Sequence, residues 1–157
     1  GYTNKSTGHT ASTALTGKAL SQTVYRPLVC IRMKSDRLDS VVVPTKYDLL
    51  GLQQAAFKYA IIINPTLTGA SWTAVDSDSA VEYDISATAL TGGHITDSGI
   101  FVGSNKGGTA SISGTTVDFS QQLGRTIAGV SDIFCIAAIA TSNNDDAVGS
   151  LTWQEHR

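Results

Sequence analysis

Apolar positions in this chain come in short runs separated by turn residues, and the clearest runs alternate. In Phe57-Lys58-Tyr59-Ala60-Ile61-Ile62-Ile63, the side chains of Phe57, Tyr59, Ile61 and Ile63 share one face of a strand, because strand side chains point to opposite faces in turn. Lys58 marks the other face as wet at one end, and Ile62 marks it as covered further along. Asn64-Pro65 ends the run. Val81, Tyr83 and Ile85 then alternate with Glu82 and Asp84, which predicts an apolar inward face and two outward carboxylates. The run Asp132 to Ala140 is apolar on both faces and predicts a central strand, facing the Phe57 run across a core.

The remaining pattern fits the same grammar. Thr23 to Lys34 is a strand with a continuously apolar centre, and Pro27 argues for its start or for a sheet edge. Ser40–Val43 and Thr45–Leu50 read as two short strands interrupted at Pro44, which suggests a bulge or a change of sheet. Gly51 to Ala56 is too short for more than a turn. Ser71 to Val75 places Trp72 mid-strand and inward. Ile95 to Val102 is a strand with an expected bulge at Gly99, and 103–108 is a glycine-bounded loop carrying Lys106. Ala110 to Phe119 is weakly patterned, with Ile112, Val117 and Phe119 as anchors, and 120–130 is a connection. Val148 to Gln154 is the last strand, with Leu151 and Trp153. Residues 1–22, rich in Thr, Ser and Gly, read as an extended arm or linker, and 23–157 as one domain. About nine or ten short strands with no long helical pattern predict an all-β fold, an antiparallel, jelly-roll-like β-sandwich.

Composition changes this picture in one respect. Charged residues make up 15% of the 157, against about 25% in an ordinary globular domain. Hydrophobic residues at 41% suffice for a core. So little charge suits a surface partly covered by neighbours. A net charge of −2 supplies no global field for nucleic acid, and no apolar run approaches the length of a membrane-spanning helix. Neither a nucleic-acid nor a membrane partner is expected. The chain starts at Gly1, consistent with a processed product or part of something longer.

Candidate chemistry is sparse. Arg26, Arg32, Lys34 and Arg37 form a local basic cluster, read as the polar face of one strand and its turn. Cys30 and Cys135 sit in apolar runs and read as buried free thiols, with a bridge open if their Cα atoms come within about 7 Å. His9, His94 and His156 lie in no triad pattern. Glu82 and Asp84 share one side of a strand, as a glycosidase pair would, but read as an ordinary acidic surface. Asp76 with Asp78, and Asn143 to Asp146, are possible calcium half-sites that turn chemistry explains equally well. Trp72, Trp153, Tyr2, Tyr25, Tyr47, Tyr59 and Tyr83 are the aromatics available to a sugar platform, with Trp72, Tyr59 and Tyr83 inward by phase. No catalytic residue, metal ligand or cofactor site emerges, and binding residues are not assigned.

Several phrases together suggest a family. Val29-Cys30-Ile31-Arg32-Met33-Lys34-Ser35, Val41-Val42-Val43-Pro44, Ile63-Asn64-Pro65-Thr66-Leu67, Ala70-Ser71-Trp72-Thr73 and Val81-Glu82-Tyr83-Asp84-Ile85-Ser86 occur in that order. With the ending Gly149-Ser150-Leu151-Thr152-Trp153-Gln154-Glu155, they resemble a β-rich domain of tailed-bacteriophage virion structural proteins. The resemblance runs from about Tyr25 to the C-terminus and leaves the threonine-rich arm unmatched. It implies a non-enzymatic virion component, either a capsid decoration (cement) protein or a fibre or spike module. It also implies self-association, often as a homotrimer, and contacts with capsid or tail proteins. The alternative from the aromatics is a carbohydrate-binding module reading host surface glycans.

Overall fold

The alternating runs become strands, and every strand pair is antiparallel. The computed structural model describes residues 6–103, 111–115 and 131–156. The described residues contain thirteen strands and no helix. In chain order these are β1 (Ser6–Ser12), β2 (Lys18–Ala19), β3 (Arg26–Met33), β4 (Val41–Gly51), β5 (Ala56–Ile63), β6 (Thr66–Thr68) and β7 (Thr73–Ala74). They continue with β8 (Val81–Asp84), β9 (Ala89–Thr91), β10 (His94–Val102), β11 (Ser111–Thr115), β12 (Ile133–Ala140) and β13 (Asp146–His156). The number exceeds the expected nine or ten because β2, β6, β7 and β9 have only two or three residues each.

Two sheets form a β-sandwich. One has the order β1-β13-β4-β11, with β2 also on β13, and the other has the order β10-β5-β12-β3-β8-β7. As the two-faced apolar pattern requires, β12 is central, between β5 and β3. The expectation that the Phe57 run faces β12 needs correcting. The two strands are neighbours in one sheet, with Ile61 opposite Ile136. What faces them comes from the other sheet: Val42, Tyr47 and Leu49 of β4, and Leu151 and Trp153 of β13, in one core with Phe57, Tyr59, Ile61, Phe134 and Ile136.

Three bulges adjust the phase. Leu28 is the extra residue of β3 against β12, so Leu28 and Val29 both join the core although adjacent in sequence. Thr45 is the extra residue of β4 opposite β13, beside Pro44, so the two short strands expected there are one bulged strand. In β10 the irregularity lies at Thr96 rather than at Gly99. Gly99 serves another purpose, because a Cβ there would stand 2.7 Å from the Tyr59 ring.

Residues 6–22 are not an arm or linker. β1 pairs with β13 along its whole length, from Ser6 opposite His156 to Ser12 opposite Ser150. Leu20 is fully buried. The Thr13 hydroxyl donates to the Leu28 carbonyl (3.0 Å) and accepts from the Gly149 amide (3.2 Å), tying this segment to both sheets.

The outer face of the six-stranded sheet is covered over part of its area. β6 and β9 form a two-stranded flap, and Leu90 and Tyr25 pack on Ala60, Ile62 and Ala137. Beneath it runs a row of paired positions across four strands: Ile62, Cys135, Cys30 and Asp84. Cys30 and Cys135 are joined by a disulfide, with Cα atoms 4.1 Å apart, and are not free thiols. Both are fully buried.

Candidate functional site

The acidic pair of β8 comes apart in the structure. Glu82 remains on the surface and accepts a 2.6 Å hydrogen bond from Arg32 Nε. Asp84, expected outward, is buried because the flap and its connections cover that face. Its Oδ1 accepts from the amides of Ser71 (2.8 Å) and Ser86 (3.0 Å) and from the Ser86 hydroxyl (2.6 Å), and its Oδ2 accepts from the Ala87 amide (3.0 Å). Burial works against ionisation, but these hydrogen bonds together outweigh it and hold Asp84 below the usual carboxylate range. Asp84 is therefore a loop organiser, with every oxygen engaged.

The second polar centre is one that the sequence did not single out. Glu155, only 1% exposed, projects from β13 into the end of the core. It accepts from the Ser79 hydroxyl (2.5 Å), the Ala80 amide (2.6 Å) and Trp153 Nε1 (2.9 Å). His9 of β1 stacks near Trp153, with its Nε2 3.5 Å from Glu155 and its Nδ1 3.8 Å from Asp76. A serine, a histidine and a carboxylate thus meet, but in the wrong order for nucleophilic catalysis. The Ser79 proton goes to the carboxylate rather than to a histidine, and Ser79 is fully buried. The cluster locks β1, β13 and the 76–80 turn together.

The other candidates separate in space or serve turns. Of the basic cluster, Arg32 lies over Trp72 (4.2 Å to the ring centroid) and pairs with Glu82, while Lys34 donates to the Asp76 carbonyl. Arg26 stands apart at the start of β3, bonded to the Ala19 carbonyl (3.2 Å). Asp76 accepts from the amides of Asp78 and Ser79, a turn in which the side chain caps the backbone. Asn143 accepts from the Gln22 amide, and Asp146 from Gln53. No group of three potential metal ligands occurs among the described residues. His94 and His156 are exposed at strand ends.

The aromatics divide. Trp153, Tyr47 and Tyr59 are core, and the Tyr47 and Tyr59 hydroxyls bond to each other (2.9 Å) with Asp97 beside Tyr47 (3.3 Å). Burial, reinforced by Tyr59, holds the Tyr47 phenol well above its ordinary range. Trp72 is not inside as its phase suggested. It precedes β7 and is only half-buried, as is Tyr25, whereas Tyr83, also half-buried, packs against the core as its phase requires. Tyr2, Lys106, Val117, Phe119 and the 120–130 connection lie outside the described residues.

One surface has the character of a contact site. β10 is the edge strand of the six-stranded sheet and pairs only with β5 among the described residues. The extra residue at Thr96 keeps Ile95, Ile100 and Val102 on the same outward face. They are 49%, 70% and 58% exposed, and they are three of the five exposed large apolar side chains among the described residues. Inward, Phe101 stacks on Phe57 at 4.9 Å and fixes the strand. Beside Ile100 the flap no longer covers the sheet, and Ala56, Ile139, Thr141 and the Lys58 stem line a hollow of about 160 Å³. No protein-family model matches the chain, and a comparison with curated proteins returns no match.

Proposed function

We propose that this protein is a structural subunit that works through contacts between β-sandwiches, as a capsid decoration protein or a fibre or spike module of a virion. The observation that carries the reading is the outward face of β10. A long edge strand offers unpaired backbone groups to another chain, and soluble proteins ordinarily blunt such an edge with charge or proline. Here the bulge at Thr96 and the inward Asp97 interrupt only one end of the edge, and its outward face still presents Ile95, Ile100 and Val102 next to an apolar hollow. A second copy of the chain is the occupant proposed, and closure into a trimer is the form the virion resemblance implies. Low overall charge agrees with a surface meant to be covered. The experiment is mass photometry across a dilution series together with sedimentation onto purified phage capsids and tails. Self-association and co-sedimentation are expected, whereas a monomer that binds neither particle removes the reading.

A second reading has its own observation. Half-buried Trp72, with Arg32 on its ring and Glu82 beside it, makes an aromatic and polar platform of the kind that stacks on a sugar. In that case the protein is a carbohydrate-binding module for host surface glycans. A glycan array showing binding that Trp72→Ala abolishes supports it, and an array without hits excludes it.

A further inference from the structure

A cavity of about 320 Å³ opens between β2, the start of β3 and the 85–88 segment, lined by Lys18, Ala19, Arg26 and Thr88. Two of its four lining residues are cations, in a chain whose net charge is −2. We propose that this cavity is a binding site for a small oxyanion, a carboxylate or phosphate group carried on a larger polar ligand.

The donors are placed for it. Lys18 Nζ donates to the carbonyls of Ala87 and Ile85 (3.4 Å to the latter), which fixes the ammonium at the wall and leaves one of its three N–H groups for a ligand. The Arg26 guanidinium is anchored by one bond to Ala19, and its Nε and Nη2 have no protein acceptor among the described residues. A guanidinium offers oxyanions a planar fork, so anchoring at one nitrogen orients the remaining donors without using them. Thr88 stands at the exposed rim, its hydroxyl directed at the Thr68 carbonyl (3.4 Å), so the donors for an anion are those of Lys18 and Arg26.

Charge balance points the same way. Burial lowers the Lys18 pKa; Asp84 opposes that effect and Arg26 adds to it, so two cations oppose each other across a partly desolvated space. Asp84, the carboxylate that acts on Lys18, already receives hydrogen bonds from Ser71, Ser86 and Ala87, and Asp146, opposite Ala19, accepts from Gln53. An entering anion relieves the repulsion between Lys18 and Arg26. The volume lies at the lower end of the range for ligand pockets and exceeds what a bare oxyanion fills, which leaves room for an attached group of about the size of a sugar ring.

The test is calorimetric titration of the full chain at low ionic strength with inorganic phosphate, glucuronate and glucose. Binding of either anion without binding of glucose is expected. Phosphate alone identifies a phosphorylated ligand, glucuronate alone an acidic sugar, and both together a general oxyanion site. Arg26→Gln should weaken binding about tenfold or more, as the loss of a charge-assisted hydrogen bond does. Lys46→Gln, an exposed cation on β4, should leave it unchanged. No binding of either anion, or equal weakening by both variants, overturns the site. Because Lys18 also holds backbone carbonyls, Arg26→Gln is the deciding variant, with its melting temperature checked against the parent.

Discussion

Glu155 shows how much one residue carries here. It gathers Ser79, the Ala80 amide and Trp153 in a dry corner with His9 alongside. Removing the carboxylate leaves three donors without an acceptor, and a buried donor without a partner costs far more than an ordinary hydrogen bond contributes. Glu155→Ala should therefore lose about 3–5 kcal/mol, read as a lower urea midpoint with an unchanged slope. Asp84 gives a prediction with pH as the variable. Its folded pKa is depressed, so its contribution to stability is complete above the unfolded value of about 3.9 and is lost as pH falls through the folded value. Melting temperature should fall as pH drops below about 4. Asp84→Asn should be less stable near neutrality yet show a shallower acid limb. Asp76 is depressed in the same direction and stays in the variant, so the limb flattens rather than vanishes. An unchanged slope in Asp84→Asn refutes the assignment.

At the scale of elements, the disulfide and the bulges decide which strands hold together. Cys30 and Cys135 join β3 to β12 across 105 residues of sequence. Replacing both with alanine should lower unfolding free energy by about 2–5 kcal/mol, measured against the oxidised parent in denaturant. The strands themselves were legible wherever hydrophobicity alternates: Phe57, Tyr59 and Ile61 are core as their phase requires, and β12 is central. Legibility fails where burial is not written in apolar residues. In β1 and the residue that follows it, the inward positions His9, Ala11 and Thr13 do alternate with exposed Gly8, Thr10 and Ser12, but hydropathy cannot register a face made of histidine, alanine and threonine. It fails again where a third layer intervenes. A period of two places Asp84 outward correctly with respect to its sheet, but it cannot reveal the chain segment that covers that face. Trp72 was misplaced for the converse reason, since it stands just outside the short strand β7 and its phase therefore carries no meaning.

For the whole molecule, the question is what the uncovered surfaces do. None of the candidate site could be read as such from sequence. Ile95, Ile100 and Val102 look like core residues until the bulge at Thr96 and the edge position of β10 are known. Lys18 and Arg26 likewise converge only in the fold, where β2 pairs with β13 and Arg26 of β3 reaches the Ala19 carbonyl. If β10 joins copies, replacing Ile100 and Val102 together with lysine should disperse them. The outward positions tolerate charge, so the circular dichroism spectrum should stay unchanged while mass photometry shifts to the monomer. An assembly that survives both lysines places the contact elsewhere.

The pairing of Ser6 with His156 brings the two ends of the described chain to one pole of the sandwich. Lys18 and the oxyanion cavity lie near Asp146, at the far end of β13. At about 3.3 Å per residue, the two regions stand roughly 30 Å apart. Residues 6 and 156, by contrast, are adjacent across one strand pair, close enough to be joined by a short link. A domain whose described ends meet in this way can be spliced into a loop of another protein, with the cavity at the opposite end of β13 from the splice. A circular permutant that links residue 156 to residue 6 and opens the 142–145 loop should fold, since it cuts no strand.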